Sequence, residues 1–269
     1  MRSYDDYRRI LELWEQGFNK SEIEQMTGIP RATARDCIKR FGTLANLEVY
    51  RAENYEPELL KLLQSGTLSD KEAIYPAYAY LLGIYLGDGN ISKLRNVYRL
   101  RVTLDAKYPQ IIESCIQAIS TLLPQNQVSL VKKHYNGDQL SCVDVSVCYK
   151  YLPAIFPQHG KGAKHTRSIV LEAWQQRIVT AFPLEFFRGL YHSDGSRASN
   201  IVNGKDYPRY QFSNNSQEIC ALFCETCDRL GIHWTSKTRR VQGLTETIDI
   251  MIAKRRDVAW LDEHVGAKC

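Results

Sequence analysis

No apolar run in the 269 residues approaches the roughly 20 needed to span a bilayer, so a helical membrane anchor is not expected. The first ten residues carry Asp5 and Asp6 and lack both an apolar leader core and the acid-poor character of a transit peptide. Nothing here points to export, and without an oxidising compartment the eight cysteines read as reduced thiols rather than a disulfide framework. Zinc also lacks support. Cys224 and Cys227 form a CxxC pair, but no second CxxC or His pair supplies the remaining ligands. Cys220, Cys224 and Cys227 fall at i, i+4 and i+7 on one helix face, where cysteine packs as a small hydrophobe.

What is present is a soluble composition, 44% hydrophobic and 24% charged, with a net charge of +5 that is unevenly spread. Residues 1–42 hold 8 Lys/Arg against 7 Asp/Glu, residues 43–77 hold 3 against 6, and residues 78–269 hold 24 against 17. The surplus of the last segment suits a surface that lies along phosphates.

The first segment has helical periodicity. Tyr7, Ile10, Leu11 and Trp14 line one face, Gly17 ends the helix, and Ser21 with Glu24 predicts a capping box for a second helix. Gly28-Ile29-Pro30 then turns the chain into a third helix over residues 31–41. This is a helix-turn-helix pattern, and Arg31, Thr33 and Arg35 stand where such modules meet base edges. A three-helix bundle for protein contact would show the same periodicity. Residues 43–77, punctuated by Pro57, Gly66 and Pro76, read as a connector with one short helix over 56–64.

Beyond the connector the chain repeats itself. Tyr80-Leu-Leu-Gly-Ile-Tyr-Leu-Gly-Asp-Gly89 corresponds to Phe186-Phe-Arg-Gly-Leu-Tyr-His-Ser-Asp-Gly195, with Gly83 matching Gly189 and Asp88 matching Asp194 at an offset of 106 residues. Each copy continues with a polar stretch, a strand (98–104, 209–213), a helix (111–122, 216–230), further strands ending at 143–147 and 248–252, and a final helix. The pattern predicts an α+β fold of two pseudo-symmetric αββαββα units, residues 78–160 and 184–269, joined by a linker and helix over 161–183.

Strand parity assigns the faces. Tyr98, Leu100, Val102 and Leu104 point to the helices, leaving Arg99, Arg101 and Thr103 outward. Tyr210 and Phe212 pack inward, with Arg209, Gln211 and Ser213 outward and Lys237 and Arg239 on a neighbouring strand. Arg pairs bidentately with guanine and Gln with adenine, so such faces suit a major groove, although a solvated antiparallel face is equally polar.

Small residues four apart, Gly83 and Gly87 in one copy and Gly189 and Ser193 in the other, let two helices pack closely. Asp88 and Asp194 then meet at two helix C-termini, where paired carboxylates need cations. Oxygen-only ligands suit Mg²⁺, which could polarise a phosphoryl oxygen and lower the pKa of a bound water. In a single copy, Asp-Gly would be no more than a turn.

Residues 81–89 and 187–195 resemble the paired signature helices of monomeric LAGLIDADG homing endonucleases, over about residues 78–269. The chain is similar in particular to the bacterial branch that joins an N-terminal helix-turn-helix to this domain. The resemblance implies a saddle-shaped antiparallel sheet surface on a long, asymmetric duplex DNA site, a monomer, and cleavage of both strands with Mg²⁺. Mn²⁺ is expected to substitute, and Ca²⁺ to bind without supporting cleavage. It assigns the metals to Asp88 and Asp194 with Gly87 and Ser193 beside them, and a basic catalytic residue to Lys254, whose counterpart is Tyr149 with Lys150 adjacent. Leu86 and His192 replace the family's earlier acid, which is a structural group. A non-cleaving DNA-binding regulator and an RNA maturase are the alternative readings. The segment 157–167 could track a phosphate backbone or serve as a surface linker. The His-Asn terminus of protein splicing is missing, so a free-standing or intron-encoded protein in the cytoplasm, at the nucleoid, is expected.

Overall fold

Asn19, rather than Ser21, opens the second helix. Its side-chain oxygen accepts from the backbone N–H of Ser21 and Glu22, and the Glu22 carboxylate accepts from the Asn19 N–H, closing a capping box two residues earlier than expected. Glu24 is thereby free to accept from the Arg31 N–H at 3.0 Å, which satisfies a donor at the start of the third helix. The computed structural model describes residues 4–47, 58–65, 68, 73–95, 97–134, 140–240, 246–266 and 268. These fall into two compact units, residues 1–61 and 62–269.

In the first unit α1 (Tyr4–Glu15), α2 (Lys20–Thr27) and α3 (Arg31–Phe41) close around Ile10, Leu11, Ile23, Ile29, Ala34, Cys37 and Phe41. Gly17 and Gly28 adopt φ of +92° and +68°, the left-handed turns that end α1 and α2. The short connector helix α4 spans Glu58–Gln64, while Glu56, Pro57 and Gly66 lie outside the described residues.

In the second unit the first motif lies on α5 (Ile74–Asp88), which begins before the boundary expected at residue 78. Pro76 sits in its first turn, where a missing N–H leaves no intrahelical bond unmade. The helix is buried all round from Tyr78 to Leu86, so it forms the centre of the unit rather than a surface element. From Gly89 the chain runs through β1 (Gly89–Lys93), β2 (Tyr98–Asp105), α6 (Pro109–Leu122), β3 (Val128–His134) and β4 (Leu140–Tyr149). A single helical turn, α7 (Leu152–Ile155), ends the copy.

After α8 (Ala173–Ala181) the order recurs: α9 (Pro183–Asp194), β5 (Gly195–Ala198), β8 (Arg209–Asn214), α10 (Gln217–Arg229), β9 (Thr235–Arg239), β10 (Thr247–Ile252) and α11 (Arg255–His264). A small hairpin, β6 (Ile201–Val202) and β7 (Lys205–Asp206), is inserted between β5 and β8. Asn203 and Gly204 turn it at φ of +50° and +75°, the left-handed pair that Asn-Gly supplies. Both main sheets are antiparallel and four-stranded with matching orders, β1-β2-β4-β3 and β5-β8-β10-β9. Strand parity holds as read. Leu100, Val102, Leu104, Tyr210 and Phe212 are buried, while Arg99, Arg101, Thr103, Arg209 and Gln211 lie on the opposite faces. Cys220 and Cys227 face the core from α10, and burial pushes the Cys220 thiol up to about 12.

Candidate functional site

The two motif helices touch backbone to backbone. A β-carbon on Gly83 would fall within 2.7 Å of the Phe186 carbonyl and the Leu190 nitrogen, and one on Gly189 would strike the Tyr80 carbonyl. One turn on, Gly87 rests against Ser193 and Asp194. The helices therefore run side by side in register and end together at Asp88 and Asp194. Gly89 and Gly195 then press against Tyr85 and Tyr191, leaving no room for a side chain where each helix becomes a strand.

The register also mixes the copies. One cavity, of about 400 Å³, is lined by Gly87 and Gly89 of the first copy with Asp194 and Asn214 of the second. The other, of about 320 Å³, is lined by Asp88 and Thr103 of the first with Ser193 and Gly195 of the second. Each cavity thus pairs the carboxylate of one motif with the helix-end backbone of the other. Burial pushes the Asp88 carboxyl up to about 6, with repulsion from Asp194 adding to it and Lys268 and Lys164 opposing it. Asp194 is also raised, by burial first, against a hydrogen bond from Asn214 Nδ2 at 2.8 Å.

The cations beside the acids are two further lysines, Lys164 and Lys268. Lys254 is exposed at the N-cap of α11 and is not among the residues lining either cavity. Tyr149, its counterpart, packs edge-on against Tyr151 at the end of β4. Instead Lys164 Nζ donates to the carbonyls of Gly87 at 2.9 Å and Gly89 at 2.6 Å, and Lys268 Nζ donates to the Ser193 carbonyl at 2.8 Å. Burial lowers both lysines to about 8, with the two aspartates opposing that shift. The segment 157–167 is therefore built into the site: Arg167 Nη1 donates to the carbonyls of Gly160 and Gly162, shaping the turn that presents Lys164. A sequence signal for both lysines existed. Gly162-Ala163-Lys164 recurs as Gly266-Ala267-Lys268, at nearly the motif offset.

The donor chemistry suits a hard divalent cation in kind, because each half offers a desolvated carboxylate and a helix-end carbonyl, oxygen atoms only. Asp88 and Asp194, with the Gly87 and Ser193 carbonyls, would hold it. Among the described residues no cluster of three His, Cys, Asp or Glu side chains exists. The substituted motif position is filled productively: His192 Nδ1 lies 3.0 Å from the Tyr80 hydroxyl, across the seam.

On the outer faces, Asp144 and Asp249 were not singled out by the sequence reading. Thr103 Oγ1 donates to Asp144 at 2.7 Å, and Lys133 and Arg101 approach its other oxygen at 2.8 and 4.0 Å. Ser213 Oγ donates to Asp249 at 2.7 Å, and Arg239 grips it with two bonds at 2.9 and 3.1 Å. Alternation along Val143-Asp-Val and Ile248-Asp-Ile places both acids outward, which was the available signal. Arg99 Nε is buried with no hydrogen-bond partner among the described residues, Arg209 rests on Met251, Gln211 donates to Ser213, and Lys237 stands across from Asp249 in the strand register. In the first unit Arg31 and Arg35 are exposed on α3, with Thr33 half-buried and Arg35 near Asp36 at 3.5 Å.

No family model and no curated protein matches the chain. Among solved structures it is similar to mesophilic variants of the homing endonuclease I-DmoI, at 17% identity and a TM-score of 0.49 over 72% of this chain and 97% of that one. The N-terminal LAGLIDADG domain of DUF199/WhiA gives 13% and 0.46 over 80% and 92%. Full-length DUF199/WhiA from Thermatoga maritima gives 14% and 0.48 over 79% and 62%. The architecture is the one the LAGLIDADG resemblance implies. It shows in this chain's own duplicated topology, two αββαββα units with matching strand orders.

Proposed function

We propose that the chain binds duplex DNA along the outer faces of its two sheets and hydrolyses one phosphodiester per strand at Asp88 and Asp194. One observation carries the reading: two half-buried carboxylates, each raised above the usual range, stand at the ends of paired helices, where both sheets begin. A single acid could be a turn residue, but two in crossed cavities form a matched pair.

Arg99, Arg101, Arg209, Gln211, Lys237 and Arg239 supply base and phosphate contacts, and because the pseudo-twofold lies within one chain a monomer suffices. A bound Mg²⁺ or Mn²⁺ would supply Lewis acidity at the scissile phosphate and a more acidic water. The chain's own residues position the reaction. Asn214 holds Asp194, and the seam fixes the separation of the acids. The helix-turn-helix reading of α1–α3, with Arg31, Thr33 and Arg35, extends the DNA contact. Among the described residues no helix is long and apolar enough to cross a membrane.

A second reading, a DNA-binding regulator that does not cut, is favoured by the ammonium groups already seated on the Gly87 and Ser193 carbonyls. The deciding experiment incubates the chain with a library of duplex sites and Mg²⁺ or Mn²⁺, beside an Asp88→Asn/Asp194→Asn double variant. Specific cutting by the wild type alone supports the endonuclease. Specific binding with no cutting in either metal ends that reading and leaves the regulator.

A further inference from the structure

The two lysines are a duplicated device. Lys164 bonds the carbonyl of Gly87, the residue before Asp88, with its Nζ 5.1 Å from the centre of the Tyr85 ring. Lys268 bonds the carbonyl of Ser193, the residue before Asp194, with its Nζ 5.8 Å from the centre of the Tyr191 ring. Gly87 matches Ser193 and Tyr85 matches Tyr191 in the 106-residue repeat, so the two ammonium groups share an equivalent carbonyl and ring, Lys164 adding a bond to the Gly89 carbonyl. Each lysine lies beyond the last helix of its copy, α7 or α11, and each follows a glycine in the left-handed region, Gly162 at +84° and Gly266 at +77°. Lys164 shares a cavity with Asp194, and Lys268 shares one with Asp88.

Each ammonium therefore sits on the carbonyl, and across the cavity from the carboxylate, that a divalent cation in the same cavity would use. A carbonyl oxygen has two lone pairs, but a divalent ion at about 2.1 Å from it would face the neighbouring ammonium at close range in a desolvated site. The two cations compete. Each ammonium supplies one positive charge and directed donors, so the two together hold the two helix ends and balance the acid pair.

We propose that the twin Gly-Ala-Lys segments carry built-in counter-ions: Lys164 and Lys268 occupy the motif carbonyls when no divalent cation is bound and withdraw when one enters. The proposal rests on the acid pair being a divalent-cation site, as the function above requires, but it does not require cleavage. The site thus exchanges two internal cations for metal, and metal affinity is set by the lysines as much as by the acids.

The test is Mn²⁺ binding to the full-length chain without DNA, followed by the electron paramagnetic resonance signal of the free ion. Lys164→Met/Lys268→Met should bind Mn²⁺ at least tenfold more tightly than the wild type, and adding Asp88→Asn/Asp194→Asn should abolish that gain. Equal or weaker binding by the lysine variant overturns the proposal. Because that variant can fail to fold without its counter-ions, a second measurement uses the wild type, with reductive methylation mapped by mass spectrometry. Lys164 and Lys268 should react more slowly than Lys254 in the absence of metal and at least fivefold faster at saturating Mn²⁺; unchanged rates overturn it. Tighter binding in the lysine variant, together with no DNA cutting by the wild type in Mg²⁺ or Mn²⁺, would remove the endonuclease reading and leave the counter-ions standing.

Discussion

Asn214 Nδ2 donates to Asp194 Oδ2 across 2.8 Å, joining the last residue of β8 to the last residue of α9. The equivalent place in the first copy is Leu104, because Val102 pairs with Gly89 as Phe212 pairs with Gly195. The two acids thus have the same address but different support. Asn214→Leu should raise the Asp194 pKa, and Leu104→Asn should lower the Asp88 pKa below its present value of about 6, since a hydrogen bond favours the charged carboxylate. Carboxyl-carbon NMR titration of both variants reads the shifts. No movement in either would show that the amide is not setting the carboxylate.

Two groups at the seam should give pH dependences of opposite sign. His192, buried beside Tyr80, is lowered to about 3 from an ordinary 6.5, by burial first and then by Arg188 and Lys268. The unfolded chain therefore binds the proton that the folded chain refuses, and stability is lost as pH falls from about 6.5 toward 3. Asp88 is raised to about 6, so its charge burdens the fold above that pH and the burden disappears as pH falls toward 3.8. Asp88→Asn should raise Tm by a few degrees at pH 7.5, with the gain shrinking by pH 4. His192→Gln should flatten the acid limb between pH 6.5 and 4. Thermal melts across pH check both.

The seam tolerates no added carbon. Gly189→Ala would drive a methyl group into the Tyr80 carbonyl, and Gly83→Ala would drive one between the Phe186 carbonyl and the Leu190 nitrogen. Backbone cannot swing aside as a side chain can, so each change should cost about 3 kcal/mol or more, at the upper end of overpacking. Chemical denaturation measures it. A cost near zero would mean that the helices separate freely.

Asp144 and Asp249 restrain the basic groups of the outer faces. Burial acts to raise Asp144, but hydrogen bonds from Lys133 and Thr103 outweigh it and hold the carboxyl below the ordinary range; Asp249 is held down in the same way by Arg239 and Ser213. Replacing either by Asn removes an anion from the outer face and releases Lys133 or Arg239. Affinity for unrelated duplexes should rise severalfold, with a steeper salt dependence, while discrimination among sites falls. Arg99→Ala and Arg101→Ala should instead cost about 1–3 kcal/mol at particular base pairs where they read bases. Binding isotherms on a site library, repeated over a range of salt, separate these outcomes.

In the first unit, Arg31→Ala/Arg35→Ala should reduce DNA affinity and lower the salt slope by about 2 if both arginines lie on phosphates. Both side chains are exposed on α3, so little stability should be lost. An unchanged salt slope would favour a three-helix module that contacts protein.

The repeated Gly-x-x-x-small-Asp-Gly pattern determined by itself that two helices meet and that Asp88 and Asp194 share a place, because close helix packing needs small residues at fixed spacing and the spacing is written in the chain. Alternation likewise determined the faces of β2 and β8, since a strand has a period of two. Which cation accompanies the acids was decided only by tertiary structure. Lys254 lies near a strand end in sequence yet stays exposed, while Lys164 and Lys268 stand 76 and 74 residues beyond Asp88 and Asp194 and arrive beside them through left-handed turns. Distance along the chain does not measure distance in a folded unit. The Gly-Ala-Lys repeat was visible, but its meaning depends on desolvated helix ends that exist only after the two copies pack.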